Sequence, residues 1–188
     1  MKKILICAPT YNEAKNIKKF CKEILNLKYN FDLIIIDDNS PDGTSKIIKR
    51  LKLKYKNLFL LKRKKKLGIG SALREGMRYA LKRKYYALVT MDADLSHNPK
   101  EITLLINELK YNDFVIGSRY IKKGQSEYVG YRDIISRLAN KLCKFLLNMP
   151  YNEYTTSFRV YNYKCLKILN EASLKSNGYS SQIEFLFY

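Results

Sequence analysis

Short apolar runs alternate with amphipathic stretches over the first two-thirds of the chain. Ile4–Ala8 is apolar and Pro9 closes it. From Asn12 and Glu13 onward the period changes, and Ile17, Phe20, Cys21, Ile24 and Leu25 recur at helical spacing. Leu33-Ile-Ile-Ile36 is β-branched and uninterrupted, the pattern of a parallel strand buried on both faces. Asp42-Gly-Thr-Ser45 reads as a turn and N-cap before a helix carrying Ile47, Ile48 and Leu51. Further strands are predicted at Leu58–Leu61, Ala87–Met91 and Phe114–Ile116. Helices are predicted between them over Ser71–Leu81 and Pro99–Leu109, the latter with proline in its first turn. This alternation predicts an α/β fold, a doubly wound and mostly parallel sheet with helices on both faces.

After Gly117 the rhythm breaks, dividing the chain into 1–117 and 118–188. Residues 124–130 read as a loop, Asp133–Leu147 as a strongly amphipathic helix, Thr155–Tyr161 as a strand, and a further helix starts near Lys164. The last stretch, Gln182-Ile-Glu-Phe-Leu-Phe-Tyr188, is apolar and helix-like without a cap, which reads as a chain cut short. At 188 residues the expectation is one domain, 1–188.

Composition changes this picture in two respects. The four cysteines, Cys7, Cys21, Cys143 and Cys165, form no C-x-x-C pair, so reduced thiols in a cytosolic compartment are expected. No signal peptide or membrane-spanning run is read in the sequence. The formal charge of +19 attracts phosphate in any form. A nucleic-acid-binding module is one reading of that charge, with 16 tyrosines and the run Lys62-Arg-Lys-Lys-Lys66 in its favour. It lacks a recognised motif and leaves clustered acids unexplained, so no nucleic-acid partner is expected.

Those acids lie where the strands end. The first strand runs into Pro9-Thr-Tyr-Asn-Glu13, the second into Asp37-Asp-Asn-Ser-Pro-Asp-Gly-Thr44, the fourth into Asp92-Ala-Asp94, and the fifth into Gly117-Ser-Arg-Tyr120. All fall on the carboxyl edge of the sheet, where open α/β folds bind ligands. Singly, each could be a cap or turn. Together they suit a nucleotide sugar: Tyr11 offers a flat face to a base, and Glu13 and Asp38 can accept from base or ribose. Asp94 with a metal would neutralise a diphosphate. Gly68-Ile-Gly70 at a helix start is a weak phosphate-loop signal that close packing explains equally well.

These stretches, with Gly68-x-Gly-x-Ala72, Asp92-Ala-Asp-Leu-Ser-His97, Arg132-x-x-x-Ser136 and Thr155-x-x-Phe-Arg159, occur in the order found in family 2 glycosyltransferases. The chain resembles that family over nearly its whole length, and within it the dolichyl-phosphate mannosyltransferase branch. The resemblance implies a GT-A, Rossmann-like fold, with 1–117 as the nucleotide-sugar half and 118–188 as the acceptor half. It implies GDP-mannose as donor, dolichyl or another polyprenyl phosphate as acceptor, Mg²⁺ or Mn²⁺, and inversion at the sugar carbon. UDP-glucose or another UDP-sugar stays open as donor, as does a non-catalytic, partner-dependent fragment. Matched by position, Pro9, Tyr11, Glu13, Ile36 and Asp38 would hold the nucleoside, and Asp92, Ala93 and Asp94 the diphosphate and metal. Ser96 stands where some relatives carry a glutamine metal ligand. Arg119 and Arg132 would face the phosphates and, with Asp94, form the catalytic set; Arg132, Ser136 and Arg159 would meet the acceptor phosphate. Glu153 and Ser157 replace an Asp and a Gly usual in the family.

A phosphate acceptor also agrees with the residues alone. A sugar hydroxyl needs a general base, whereas a phosphate dianion needs only positioning and charge screening. Downstream of Gly117 the acids are isolated, and Arg119, Arg132, Arg137 and Arg159 are more prominent. In Asp133–Leu147 an apolar face of Ile134, Ile135, Leu138, Leu142, Phe145 and Leu146 is flanked by basic residues. That fits either a membrane interface or ordinary core packing. The expected location is the cytosolic face of a membrane (endoplasmic reticulum in a eukaryote), with a small membrane-anchoring subunit as a possible partner.

Overall fold

The computed structural model describes residues 2–120 and 131–188, without the side chains of 131–136 and 139. The strands are β1 (Ile4–Thr10), β2 (Phe31–Asp37), β3 (Leu58–Lys62), β4 (Ala87–Thr90), β5 (Phe114–Ile116) and β6 (Arg159–Asn162). They form one sheet in the order β3–β2–β1–β4–β6–β5. The β1–β2, β1–β4 and β2–β3 pairs are parallel, and β6 runs antiparallel to both β4 and β5. The helices are α1 (Ile17–Leu25), α2 (Thr44–Lys52), α3 (Ile69–Lys82), α4 (Ile102–Glu108), α5 (Tyr131–Leu147), α6 (Tyr163–Glu171) and α7 (Ser181–Glu184).

Alternation along each strand sorts the core onto two faces. Ile4, Ile6, Ala8, Leu33 and Ile35 join Ile17, Phe20, Cys21 and Ile24 of α1 and Ile102 of α4 on one side. Leu5, Cys7, Ile34 and Ile36 join Ala72, Leu73 and Met77 of α3 and Leu166 of α6 on the other. Both faces are covered, which is why β1 and β2 carry no polar alternation. Gly76 lets α3 lie against the sheet, because a Cβ there would overlap Cys7 Sγ.

The second half departs from the predicted pattern in one respect that matters. Residues 155–158 are irregular, and the strand begins only at Arg159. Because β6 is antiparallel, its amino-terminal end reaches the same edge as the carboxyl ends of the parallel strands, with Thr90 and Ile116 both opposite Arg159. Residues 153–158 therefore enter the edge the sequence reserved for strand ends. The chain places β2 on one flank of β1 and β4 on the other, so the crevice between β1 and β4 is the topological switch point. The predicted loop at 124–130 lies outside the described residues. Among the described residues no helix is long and apolar enough to cross a membrane.

Candidate active site

The loops after β1 and β2 hold each other. Asp37, fully buried, accepts from Thr10 Oγ1 at 3.0 Å, Ser40 N at 3.1 Å, Ser40 Oγ at 2.6 Å and Ser45 Oγ at 2.5 Å. Asn12 N donates to Ser40 Oγ, Glu13 N to Thr44 Oγ1 and Ala14 N to Asp42 Oδ2, each at 2.9–3.0 Å. Asn12 (φ 63°) and Asn39 (φ 58°) take the left-handed conformation that asparagine tolerates best after glycine. Much of these two motifs is thus occupied in fixing one loop to the other. Tyr11 remains half-exposed, with Lys66 Nζ 3.8 Å from its ring centroid.

Asp38 is placed differently from the expectation that it meets ribose or base. It is buried, paired with the buried Arg63, and its Oδ2 accepts from Leu67 N at 3.1 Å and Gly68 N at 2.9 Å. Arg63 also donates to Ser71 Oγ at 2.8 Å and Gly68 O at 3.0 Å. The glycine turn therefore offers its amides to a carboxylate of the chain rather than to a phosphate. Its glycines serve close packing: a Cβ on Gly68 or Gly70 would collide with Asn177 O or Ser176 O, and Gly70 N donates to Asn177 O at 2.8 Å. Ile36, expected at the nucleoside, is fully buried in the core beneath α3.

The loop after β4 is built the opposite way. Asp94 is exposed, with Oδ1 braced by Ser96 N at 3.0 Å and Ser96 Oγ at 2.7 Å, while Asp92 is half-buried and Ala93 buried. Ser96 acts here as a brace for Asp94. Leu95 is held at φ 70°, a strained conformation for a leucine, and such strain gathers at functional loops. His97, which sequence reasoning passed over, organises this loop. Its Nδ1 accepts from Asp92 N at 3.1 Å, its ring stacks on Phe158 at 5.0 Å, and Nε2 lies 3.4 Å from Thr156 Oγ1 and 3.9 Å from Asp92 Oδ2. Burial pushes the His97 pKa down from its ordinary value, Asp92 and Asp94 pull against it, and Arg119 adds to it. Burial thus favours the neutral imidazole, and with Nδ1 accepting, the proton of that form sits on Nε2.

Glu13 faces the same carboxylates. Its pKa is raised, by burial first; a hydrogen bond from Asn16 opposes this, and the charges of Asp94, Asp42 and Asp92 add to it. A carboxyl pushed up in part by the charges of neighbouring carboxylates favours a cation beside it. Among the described residues no three His, Cys, Asp or Glu side chains form a metal-holding group. A hard cation bound through one or two carboxylates, with phosphate oxygens and water completing its shell, fits Asp92 and Asp94.

On the same edge, after β5, stands a guanidinium. Arg119 forks onto Glu153, Nε to Oε2 at 3.2 Å and Nη2 to Oε1 at 3.1 Å, and Glu153 is buried. Thr155 Oγ1 also donates to Glu153 Oε1, at 2.8 Å. Glu153 therefore positions Arg119, a role invisible while the direction of β6 was unknown. Arg159 needs correction as an acceptor-phosphate contact. It is fully buried, with Nη1 donating to Gln182 O at 2.7 Å and Nη2 to Tyr154 O at 2.9 Å, so it ties β6 to α7. Arg132 and Ser136 lie in the first turns of α5, their side chains outside the described residues.

The family model for Glycosyl transferase family 2 matches residues 5–169. The chain belongs to that family. A polyprenol monophosphomannose synthase of Mycolicibacterium smegmatis is 32% identical over 96% of this chain and 69% of its own length. An undecaprenyl-phosphate mannosyltransferase of Micrococcus luteus is 30% identical over 98% of this chain and 76% of its own. Among solved structures, glucosyl-3-phosphoglycerate synthase of Mycobacterium tuberculosis, in complex with Mn²⁺, UDP and glucosyl-3-phosphoglycerate, superposes with a TM-score of 0.73 at 20% identity. That match covers 98% of this chain and 64% of that one. A mannosyltransferase from Pyrobaculum calidifontis in complex with GDP-Man and Mn²⁺ gives 0.66 at 16% identity, covering 98% and 52%. The chain thus spans less than two-thirds of these solved chains, and the likeness to them is one of fold. The expected GT-A fold and glycosyltransferase family are met.

Proposed function

We propose that the chain transfers mannose from GDP-mannose to a polyprenyl phosphate, with inversion at the anomeric carbon. The observation that carries the acceptor assignment is the state of Glu153 and Glu184, two of the described acids on the acceptor side. Both oxygens of Glu153 accept from Arg119, and both oxygens of Glu184 accept from the backbone N–H groups of Lys175 and Ser176 at 2.8 and 2.9 Å. Carboxylates committed in this way are poorly placed to take a proton from a sugar hydroxyl. A phosphate dianion asks for none. Its oxygen attacks the anomeric carbon as the bond to the diphosphate oxygen breaks, and no proton has to move.

Asp92 and Asp94 are the residues that would hold Mg²⁺ or Mn²⁺. When bound, such an ion neutralises the diphosphate and makes it a better leaving group. Arg119, fixed by Glu153, adds positive charge on the same edge. Tyr11, with Pro9 and Glu13 beside it, offers the exposed face for the base. Arg132 and Ser136 remain the proposed contacts of the acceptor phosphate. The names of the two curated relatives support mannose and a prenyl phosphate. A UDP-sugar donor is the second reading, supported by the UDP in the glucosyl-3-phosphoglycerate synthase complex.

The test is transfer of labelled sugar into an organic-extractable product from GDP-mannose or UDP-glucose, with polyprenyl phosphate and Mg²⁺ or Mn²⁺. Product from GDP-mannose alone is expected. Product from UDP-glucose alone would overturn the donor, and no product from either would overturn transfer by this chain.

A further inference from the structure

Strand order fixes what each loop of the sheet edge can meet. In the order β3–β2–β1–β4, Tyr11 follows β1, and Asp92 and Asp94 follow its neighbour β4. The loop after β3, residues 63–68, lies on the other flank, beyond β2. It is fixed there from below. Arg63 N donates to Asp37 O at 2.8 Å, the buried Arg63 side chain pairs with Asp38, and Asp38 Oδ2 accepts from Leu67 N and Gly68 N. From this fixed turn Lys66 reaches over Tyr11, its Nζ 3.8 Å from the ring centroid. A base stacked on that ring would lie at the same height, roughly 3.5–4.0 Å. Lys66 therefore occupies the stacking place and has to step aside for a base. Because it enters from the flank remote from Asp92 and Asp94, its ammonium withdraws to the outer rim of the base, away from the diphosphate. The carboxylates of that flank are already engaged: those of Asp37, Asp38 and Asp42 accept from hydroxyls and amides of the chain. The side chains of Lys64, Lys65 and Lys66 are exposed.

We propose that Lys66 is a specificity-determining residue: it covers Tyr11 before a nucleotide binds and donates to an exocyclic oxygen of the base afterwards. Guanine O6 and uracil O4 are acceptors at that rim, whereas adenine and cytosine carry an amino donor at the corresponding position. An ammonium has three donors and no acceptor. It completes a hydrogen bond with guanine or uracil and faces a second donor with adenine or cytosine. Every base displaces the cation from the ring, but only a base with an oxygen there gives the ammonium a new partner. Asp38 thereby acquires a part in recognition without touching the ligand, by holding the turn from which Lys66 reaches. This selectivity rests on the nucleotide-sugar donor proposed above. It separates GDP and UDP from ADP and CDP, and leaves the choice between the first two to other contacts.

Calorimetric titration of the full chain with GDP, UDP, ADP and CDP, each with Mn²⁺, tests the proposal. GDP and UDP should bind about tenfold or more tighter than ADP and CDP. Lys66→Met keeps a long side chain and removes the charge. It should weaken GDP and UDP by roughly tenfold. ADP and CDP should be unchanged or up to about fivefold tighter, because no cation then holds the ring. Lys66→Arg, which keeps a charged donor, should keep the preference for guanine and uracil. Lys66 is exposed, and unchanged circular dichroism and Tm would confirm that both variants fold. An equal loss for all four nucleotides in Lys66→Met would put the ammonium on the diphosphate and overturn the proposal. A Lys66→Met chain that kept the wild-type preference would overturn it as well. Equal binding of all four to the wild-type chain removes the base selectivity and leaves the nucleotide-sugar reading standing. Binding of none removes both.

Discussion

Two pairs of aspartates sit at strand ends on the same edge and meet opposite fates. Asp37 and Asp38, after β2, are both buried, and their oxygens are engaged by hydroxyls, amides and Arg63. Asp92 and Asp94, after β4, are half-buried and exposed, braced from one side only. The first pair is architecture and the second faces ligand. Acidity at a strand end does not distinguish them; the number of donors aimed at each carboxylate does. A carboxylate already surrounded by donors gains little from a cation, whereas one crowded by other carboxylates gains much.

Exchanging the roles should give the largest effects. Asp94→Ala should lower sugar transfer by about a hundredfold or more while leaving Tm nearly unchanged, measured by product formation and thermal unfolding. Asp37→Ala should do the reverse at its root. It strands the hydroxyls of Thr10, Ser40 and Ser45, and should cost about 3 kcal/mol or more of stability in urea titration, with activity lost only as the fold is lost. A variant of Asp37 that folded normally but bound no donor would erase the contrast.

A smaller effect is expected one step back from the open pair. His97→Ala removes the acceptor of the Asp92 amide and should raise the metal concentration for half-maximal activity about tenfold. The same residue shapes the pH behaviour. His97 is held neutral below its ordinary value of 6.5, so the unfolded chain takes up a proton that the folded chain refuses. Its contribution is present above pH 6.5 and is lost as pH falls toward the lowered folded value. His97→Gln should flatten that part of the stability curve. Smallest of all is the response of the core thiols. Burial pushes Cys7 and Cys21 up to about 12, so alkylation at pH 8 should spare both in the folded chain and reach them only after denaturation.

The sequence was most legible where physics is local. Continuous apolar runs marked β1 and β2 because both faces of the sheet are covered, and the polar clusters after them fell on one edge because the strands are parallel. Long-range choices were illegible. Nothing in Lys62-Arg-Lys-Lys-Lys66 says that Arg63 is buried against Asp38 while Lys64, Lys65 and Lys66 stay exposed. The direction of β6 was equally hidden: its four residues include a fully buried arginine, and only pairing with β4 and β5 turns residues 153–158 toward Arg119. Glu153 stood out as a departure from a family pattern, and its partner became visible only in three dimensions. The apolar stripe of α5 was legible as a stripe, but the exposure of Leu138, Leu142, Phe145 and Leu146 was not.

The packing of Gly68 and Gly70 against Ser176 and Asn177 has a consequence for the order of events during synthesis. The turn that receives Asp38 near the beginning of the chain leans on a segment made more than half a chain later. Contacts this distant in sequence close slowly, and a chain emerging from the ribosome meets them last. A nascent chain halted before residue 177 would hold its first strands and helices without that buttress. The donor side of the crevice is therefore finished only after residues 176 and 177 have been made.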